Sequence, residues 1–352
     1  MDSVSLVSKY RDEFEQSNHF LNTATVGIPP RAAISAFRDV IESWRLGELD
    51  APGFDQYVQR SRSAFGELIQ VPPTSVGIIS QVSVATGMAA WSLPPGSKVL
   101  LAEEDFTSVL FPFLAAQQDG VIDVKLVPLD SLIDSITPDI TMVAVSAVQS
   151  CDGRIVDLAE LAGRCQNLGI KTYLDATQAA GWLPIKGTDF DIVAASAYKW
   201  LCSPRGTGFI AVNQSARSWL KPMFPGWYAG EDPWESIYGP PLRLADDARG
   251  YQVSPEWLNS VAAAPALELL AEIGPTEIYN HNVGLANTFC DEMKIPRSNS
   301  AIVSISSDIS SESLAAQKVA AAYRDNRLRL AFHLYNDTSD VEAILRVLAK
   351  GE

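Results

Sequence analysis

The sequence predicts an α/β protein whose large domain is built on a mostly parallel, seven-stranded sheet flanked by helices. The first indication is a set of short, nearly continuous apolar runs, which are typical of strands buried on both faces of a parallel sheet. The second is that amphipathic helical segments separate these runs along the chain. The seven candidate strands are residues 76–80, 97–103, 124–129, 140–148, 170–176, 190–197 and 208–213.

One of the intervening helices is well defined by the spacing of its side chains. Residues 157–169 place apolar side chains at helical intervals along one face. Gly169 is expected to end this helix, because glycine easily adopts the left-handed conformation found just after a helix C-terminus. The predicted buried face consists of Leu158, Leu161, Ala162, Cys165 and Leu168.

A smaller α+β domain is predicted in the C-terminal part of the chain. Its expected elements are a helix over 256–273, a strand within 301–307, a helix over 311–325, a strand within 327–335 and a last helix from Thr338. We expect residues 1–22 to pack with this small domain (251–352), and residues 23–250 to form the large one. Residues 222–250 combine Pro, Gly and aromatic side chains, and long irregular segments of this kind tend to be functional.

Composition excludes several classes of protein. The 352 residues include 42 Asp and Glu against 27 Lys and Arg, a net charge of −15, so nucleic acid and anionic membranes would be repelled. The N-terminus lacks the pattern of a signal peptide, and no apolar run approaches the roughly 18 to 20 residues of a membrane span. We expect a cytoplasmic protein without a metal or a disulfide framework, since its cysteines lack CxxC spacing. These are Cys151, Cys165, Cys202 and Cys290.

Two neighbouring strands are followed by polar side chains that would meet at one edge of the sheet. Asp175 ends one strand and Gln178 follows it, while Ser196, Tyr198 and Lys199 close the next. Ligands of open α/β sheets bind beyond the carboxyl ends of the strands. The sequence has no GxGxxG after a strand, Walker lysine motif, GxSxG or HExxH, so nicotinamide, nucleotide, serine-hydrolase and zinc-protease chemistry lack support.

A lysine and an aspartate at such an edge fit pyridoxal 5'-phosphate. This cofactor needs a lysine amine for a Schiff base and a carboxylate beside its pyridine nitrogen. The apolar surroundings of Lys199 would lower its pKa and make the amine reactive. The structural alternatives are a plain salt bridge between Asp175 and Lys199, and a lysine that extends into solvent.

The segments YLDATQAAG (173–181) and SAYKW (196–200) resemble motifs of the class V aminotransferases, fold-type I pyridoxal-phosphate enzymes that include cysteine desulfurases, kynureninase and isopenicillin N epimerase-like proteins. The resemblance extends from residues 20–30 to 330–345. It implies that Lys199 forms the Schiff base and that Asp175 pairs with the ring nitrogen. It also implies that Gln178 reaches the phenolic oxygen, and that Ser196 and Tyr198 bind the phosphate.

The same resemblance implies roles for residues earlier in the chain. Ser83 and Val84 would bind the phosphate at a helix start, where the family usually has a Gly-Thr-Thr step. Phe106 would stack on the pyridine ring, at a position where cysteine desulfurases carry histidine. Ser150 stands where the family usually has an asparagine near the cofactor oxygen, with its neighbour Gln149 as the alternative.

For the substrate, the resemblance implies that Arg329 binds the carboxylate of an amino acid, with Arg327 as its rival. Thr23 would line the same pocket. Trp227 and Tyr228 are expected at the interface of a homodimer whose sites lie near the two-fold contact.

The reaction remains open between several types. An aminotransferase is favoured, with a lyase that cleaves a C–S or Cβ–C bond, an epimerase and a non-catalytic binding protein as alternatives. We predict that the chain is not a cysteine desulfurase, because the short loop at 323–328 contains no cysteine.

Overall fold

The computed structural model describes residues 6–349 of the chain. The helices are α1 (Leu6–Tyr10), α2 (Arg31–Leu46), α3 (Asp55–Leu68), α4 (Val82–Ser92), α5 (Thr107–Gln118), α6 (Leu158–Leu168), α7 (Trp257–Ile273), α8 (Pro275–Glu292), α9 (Ser311–Ala316) and α10 (Thr338–Leu348). The strands are β1 (His19–Phe20), β2 (Val76–Ile79), β3 (Ser97–Ala102), β4 (Ile122–Val127), β5 (Met142–Ser146), β6 (Lys171–Asp175), β7 (Ile192–Ser196), β8 (Gly208–Val212), β9 (Ile302–Ile305), β10 (Val319–Ala320), β11 (Ala322–Arg324) and β12 (Arg327–Ala331). Across the described part of the chain, no helix combines the length and apolarity that a membrane crossing requires.

The central sheet has the strand order β2-β8-β7-β6-β5-β3-β4. Only β8 runs against the others, since it pairs antiparallel with both β2 and β7. All seven strands expected from the apolar runs are present, and the predicted α/β fold is confirmed. Because six strands share one direction, their carboxyl ends lie along one edge, where ligands of such sheets bind.

The sheet separates two apolar cores. Leu100 of β3 and Leu174 of β6 pack into one core, while their neighbours Leu101 and Tyr173 pack into the other. This alternation follows from the two-residue period of side chains in a strand. Burial on both faces explains why the strands appear in the sequence as nearly continuous apolar runs.

The C-terminal part contains a three-stranded antiparallel sheet of order β11-β12-β9. The N-terminal segment packs with it, because β1 pairs with β10 and Asn22 forms a bridge with Ala331. The domain boundaries at residues 22 and 250 stay a proposal.

Three details of the sequence-based prediction are wrong. The helix expected over 311–325 ends at Ala316, because the chain turns at Lys318 and enters β10 and β11. Strand β10 forms by pairing with β1, which is distant in sequence. Strand β11 forms by pairing with β12, the next strand along the chain. Leu168 is 41% exposed rather than buried on the inner face of α6. Strand β4, expected to be buried on both faces, lies at the edge of the sheet, and its Asp123, Lys125 and Leu126 are exposed.

The 222–250 segment is anchored to its own chain. The Tyr228 hydroxyl donates to Asp55 Oδ1 at 2.6 Å, and the Trp234 indole N–H donates to Oδ2 of the same carboxylate at 2.7 Å. Tyr228 is only 5% exposed. The phenol expected at a subunit interface is therefore directed into its own subunit.

Gly27 brings the N-terminal segment against the turn that carries Lys199. Its backbone N–H donates to the carbonyl oxygen of Tyr198 at 2.9 Å. A Cβ at this position would overlap the carbonyl oxygen of Lys199 and crowd the backbone of Cys202. The close approach of two backbones thus requires glycine here.

We expect Gly27→Ala to lower the free energy of unfolding by about 2 kcal/mol or more, because neither backbone can move freely to admit the methyl group. Gly163→Ala is the matched control. A Cβ at Gly163, inside α6, meets no heavy atom within 4 Å, so helix propensity should add about 0.5–1 kcal/mol. Urea unfolding of both variants measures the difference, and equal stabilities would contradict the close contact.

Candidate active site

A cleft with about 340 Å³ of empty space lies at the edge formed by the carboxyl ends of the parallel strands. It is the point where residues following β3, β5, β6 and β7 meet. Seven of the residues predicted from the sequence line it. The lining residues are Val82, Phe106, Ser108, Ser146, Ser150, Asp175, Thr177, Gln178, Ser196, Tyr198 and Lys199.

A larger cleft, with about 1020 Å³ of empty space, lies around Arg154. The guanidinium there is neutralised by Glu104, Asp130 and Asp152, at 2.8 to 3.1 Å. No lysine, histidine or cysteine lines that cleft. Its size alone therefore does not make it the better candidate for catalysis.

Lys199 presents a buried amine to the smaller cleft. The residue is 5% exposed and lies in the turn after β7. Burial lowers its pKa to about 8, because desolvation disfavours the charged form. The charge of Asp175 opposes this effect, and the charges of three arginines, including Arg329 and Arg324, reinforce it. The amine lies 5.3 Å from the ring centroid of Phe106.

Asp175 lies at the carboxyl end of β6, and its negative charge acts on the Lys199 amine. Burial raises its pKa to about 6, although Oδ1 accepts a hydrogen bond from the Thr177 backbone N–H at 2.8 Å. No ion pair within 4.0 Å joins Asp175 to Lys199. The simple salt bridge that the sequence left open is thus not formed, and both groups stay available to a ligand.

Gln178 uses its amide within the protein. Its Nε2 donates to Ala24 O at 3.0 Å and to Ser150 Oγ at 2.9 Å, while its Oε1 accepts from Trp200 Nε1 at 2.7 Å. Ser150 Oγ also accepts from Arg329 Nη1 at 3.2 Å. A hydroxyl oxygen has two lone pairs and one proton, so Ser150 retains its proton for an acceptor in the cleft. Ser150, positioned by Gln178, is the direct donor that the geometry offers.

The start of α4 forms a site for an anion. The backbone N–H of Val82 points to Ser196 Oγ at 3.3 Å, and the N-cap residue Gln81 makes no side-chain cap. The amide of Ser83 lies in the first turn, where helical N–H groups lack intrahelical acceptors. The amide of Val84 is already used by Gln81 O at 3.1 Å. Helix N-termini favour phosphate, so this end of the cleft suits one.

Tyr198 lines the cleft, and the positive charge of Arg205 lies beside its ring. The Arg205 guanidinium lies 5.3 Å from the centroid of the Tyr198 ring. The Tyr198 phenol is half-buried, and burial raises its pKa despite this nearby positive charge. The phenol therefore remains a neutral hydrogen-bond donor at physiological pH.

Asp105 is a buried residue of the site that the sequence reasoning missed. Its carboxylate accepts from the backbone N–H groups of Phe106 and Ser146, each at 2.7 Å, and from the Ser146 hydroxyl. It thus joins the ends of β3 and β5 and sets the backbone that carries Phe106. Its charge also helps to raise the pKa of Asp175. Its position shortly after β3, in EEDF, indicates an acidic residue near the site, but the sequence does not indicate which of Glu103, Glu104 and Asp105 is buried.

Arg329 lies beside Ser150 and is held by uncharged oxygens. It donates to the Ser150 carbonyl oxygen, and its Nη2 donates to Thr25 Oγ1 at 2.9 Å. Thr23, the residue predicted to line this pocket, is fully buried and its hydroxyl pairs with Tyr335. The structure brings Thr25 rather than Thr23 to the arginine.

These residues fit pyridoxal phosphate. The cleft combines a buried amine, a buried carboxylate at the next strand end, an anion site at a helix start and an aromatic ring 5.3 Å from the amine. The Ser150 proton would meet an oxygen of the cofactor. The donor set thus matches the aldehyde, ring nitrogen, phosphate and phenolic oxygen of that molecule.

Comparisons with known proteins agree with this geometry. Residues 53–309 match the family model described as aminotransferase class-V. The uncharacterized aminotransferase YcbU of Bacillus subtilis is 29% identical over 82% of this chain and 83% of its own length. The isopenicillin N epimerase of Streptomyces clavuligerus is 27% identical over 73% of this chain and 70% of its own.

Cysteine desulfurases also appear among the similar proteins, which overturns the prediction that excluded them. A probable cysteine desulfurase of Aeropyrum pernix is 24% identical over 76% of this chain and 70% of its own. The crystal structure of the cysteine desulfurase CsdA from Escherichia coli has the same fold, with a TM-score of 0.83 at 18% identity over 98% of both chains.

Residues 323–328, where the missing cysteine had suggested the exclusion, form only the tight hairpin between β11 and β12. The half-buried Cys151 is next to Ser150 in the chain, and it lies close enough to Arg329 to influence the pKa of that guanidinium. The absence of cysteine from one loop is therefore no ground for excluding a class of reaction.

The depressed pKa of Lys199 has a consequence for stability. An unfolded lysine has a pKa of about 10.5 and the folded one about 8, so between these pH values the unfolded state holds a proton that the folded state has lost. Stability therefore rises with pH across this window. Below pH 8 the whole cost of burying the charge, about 3 kcal/mol, is present.

We expect Lys199→Met to stabilise the cofactor-free protein at pH 7 by about 1–3 kcal/mol, because it removes this cost while conserving volume. The gain should shrink towards pH 10, as wild type loses the buried charge. Urea unfolding at both pH values measures it, with Lys125→Met, on the exposed side of β4, as the control. A gain of the same size at both pH values would contradict the assigned pKa.

Proposed function

The chain belongs to the class-V aminotransferase family, and from this premise we propose that it is an aminotransferase acting on an amino acid through the amine of Lys199. The family confirms the cofactor predicted from the sequence, pyridoxal phosphate. The observation that carries the proposal is a lysine that is 5% exposed, has a pKa of about 8 and has no ion-pair partner among residues 6–349.

When bound, the cofactor supplies an aldehyde for the amine and an electron-poor ring that stabilises negative charge on the substrate Cα. The residues of the chain bind and orient it. Asp175, with a pKa of about 6, is ionised at neutral pH and can pair with the protonated ring nitrogen. Ser83, Val82 and Ser196 would hold the phosphate, with the Tyr198 hydroxyl as a further donor. The side chain of Val84, predicted to bind phosphate, offers only apolar contact there.

The proton transfers are assigned to Lys199. With cofactor and substrate bound, Lys199 Nζ would be the group placed to accept the proton from the substrate Cα and to return it. A pKa of about 8 suits both steps at neutral pH. Phe106 would pack against the ring of the cofactor and orient it, and its side chain has no proton to transfer.

The composition of the cleft favours transfer over epimerisation. Lys199 is the single lysine among the lining residues, and no histidine lines the cleft. One base on one face suits removal and return of a proton on that face, whereas inversion at Cα with two bases needs a second group opposite.

A lyase that cleaves a C–S or Cβ–C bond is the second candidate. A lyase also requires only one base. However, Phe106 stands where cysteine desulfurases carry histidine, and its ring cannot protonate a leaving group.

Lys199→Ala is expected to reduce turnover by more than about a thousandfold while the protein still folds and binds the cofactor. The visible absorption band of the purified protein should be lost or shifted. Lys125→Ala, on the exposed edge strand, is the matched control and should retain wild-type activity. Turnover by Lys199→Ala at the wild-type rate would remove this lysine from the mechanism.

The products distinguish the two candidates. The purified protein is mixed with single amino acids and sulfur-containing derivatives while its absorption spectrum is followed. Conversion to the spectrum of bound pyridoxamine phosphate, with a keto acid as product, supports transfer. Release of the side chain supports a lyase, with ammonia and a keto acid as the other products after C–S cleavage and a shortened amino acid as the other product after Cβ–C cleavage. A colourless protein that gains no absorption with added pyridoxal phosphate would contradict both.

We also propose that the active form is a homodimer with the cleft near the interface. Phe106 at the cleft is 46% exposed and Phe111 on α5 is 62% exposed, so association with a second subunit would remove apolar surface from water. A second subunit would cover them.

Light scattering is expected to give twice the 38.1 kDa mass of the chain. Phe111→Lys should weaken association, because it places a charge in the covered surface. Lys125→Ala serves again as the control. A monomer with full turnover would contradict the proposal.

A further inference from the structure

The hairpin of β11 and β12 carries three arginines on one face. Arg324 lies directly opposite Arg327, and Arg329 lies opposite Ala322. Since side chains alternate along a strand and opposite residues share a face, Arg324, Arg327 and Arg329 all project from the same side. Like charges placed directly opposite each other destabilise a sheet. The arrangement therefore has a cost that folding alone does not explain.

None of these three arginines has a carboxylate oxygen within 4.0 Å among residues 6–349. This is notable in a chain with 42 acidic and 27 basic residues. Arg154, by contrast, is paired with three carboxylates. The hairpin thus presents positive charge that the protein itself leaves uncompensated.

Two of the three arginines converge on one hydroxyl. Arg324 Nη2 and Arg329 Nη2 donate to Thr25 Oγ1 at 3.3 and 2.9 Å. Arg329 is 1% exposed, and its Nε has no hydrogen-bond partner among the residues that the structure describes, whereas Arg324 is exposed. Arg327 turns away, towards Ser304 Oγ at 3.1 Å and Ser304 O at 2.6 Å.

The two converging guanidinium groups belong to the substrate side of the cleft. Arg329 donates to Ser150 Oγ, which lines the cleft, and the charges of both arginines act on the Lys199 amine. The opposite end, at the start of α4, has its own donors for a phosphate. Two cations are therefore left for the substrate, one more than an α-carboxylate requires.

Resting on the proposed function, we propose that the substrate is an amino acid with a second anionic group in its side chain. Arg329 binds the α-carboxylate and Arg324 binds the side-chain anion, with Thr25 between them. A guanidinium forms strong, paired hydrogen bonds with a carboxylate, which gives each arginine a specific role. Arg324 is then the residue that determines specificity.

The test compares each dicarboxylic amino acid with its neutral amide. Wild type should show a kcat/KM for aspartate or glutamate at least about tenfold above that for asparagine or glutamine. Arg324→Gln should lower the value for the dicarboxylic substrate by about tenfold or more and change that for the amide less than about twofold. Arg327→Gln, with an arginine on the same face that turns away, is the matched control and should preserve the preference.

A second measurement needs no turnover. Calorimetry compares binding of succinate with binding of succinamate, which has the same shape but one charge fewer. Succinate should bind about tenfold more tightly to wild type, and this advantage should disappear in Arg324→Gln. Equal binding of the two compounds, or an undiminished advantage in Arg324→Gln, would overturn the proposal. If no amino acid is turned over, the proposed function fails, and the calorimetry still decides whether Arg324 binds a second anion.

Discussion

The Lys199 amine is buried without an ion-pair partner in the described part of the chain, and the rest of the site depends on this constraint. A lysine in water is almost fully charged at neutral pH and is therefore a poor nucleophile. Burial brings its pKa to about 8, so a useful fraction of the amine is neutral. Asp175 works against this, because its negative charge favours the ammonium form. If Asp175 lay closer, the two groups would form an ordinary salt bridge. They must therefore both reach the same ligand while staying too far apart to pair with each other.

The fold maintains that separation through the parallel pairing of β6 and β7. Asp175 lies in register with Ala194, two residues before β7 ends, and Lys199 follows in the turn beyond. The turn is held on two sides. The Trp200 indole donates to Gln178, and Gly27 packs against the backbone of Tyr198 and Lys199. Gln178 thereby connects the segment after β6 with the turn after β7, and its contact with Ser150 extends the connection to the segment after β5.

The sequence predicted those features that follow from local patterns. The seven strands were identifiable because each is a short, mostly apolar run, buried on both faces in every strand except the edge strand β4. Asp175 and Lys199 were identifiable because they follow such runs. Features that depend on long-range pairing were not predictable in this way. Residues 317–324 form β10 and β11 only because β1 and β12 lie beside them. Thr25 replaces Thr23 at Arg329 because Tyr335, more than 300 residues further along, takes the Thr23 hydroxyl. Asp105 could not be identified because it is buried by contact with the carboxyl end of β5, and nothing in the segment EEDF indicates which carboxylate is buried.

The electrostatics of the cleft differ from those of the whole chain. A net charge of −15 would repel an anionic substrate at long range, but at physiological ionic strength charges beyond about 8 Å are largely screened. The field in the cleft is therefore set by its immediate neighbours, and the arginines whose charges act on Lys199 are Arg329, Arg324 and Arg205. These cations lower the pKa of the amine and attract anions at the same time, so reactivity and substrate binding have a common origin. An anionic substrate that neutralises Arg329 and Arg324 would remove part of their effect on Lys199 and raise the pKa of the free amine. Substrate binding would in this way make the released lysine a stronger base at the stage when it must take the proton from Cα.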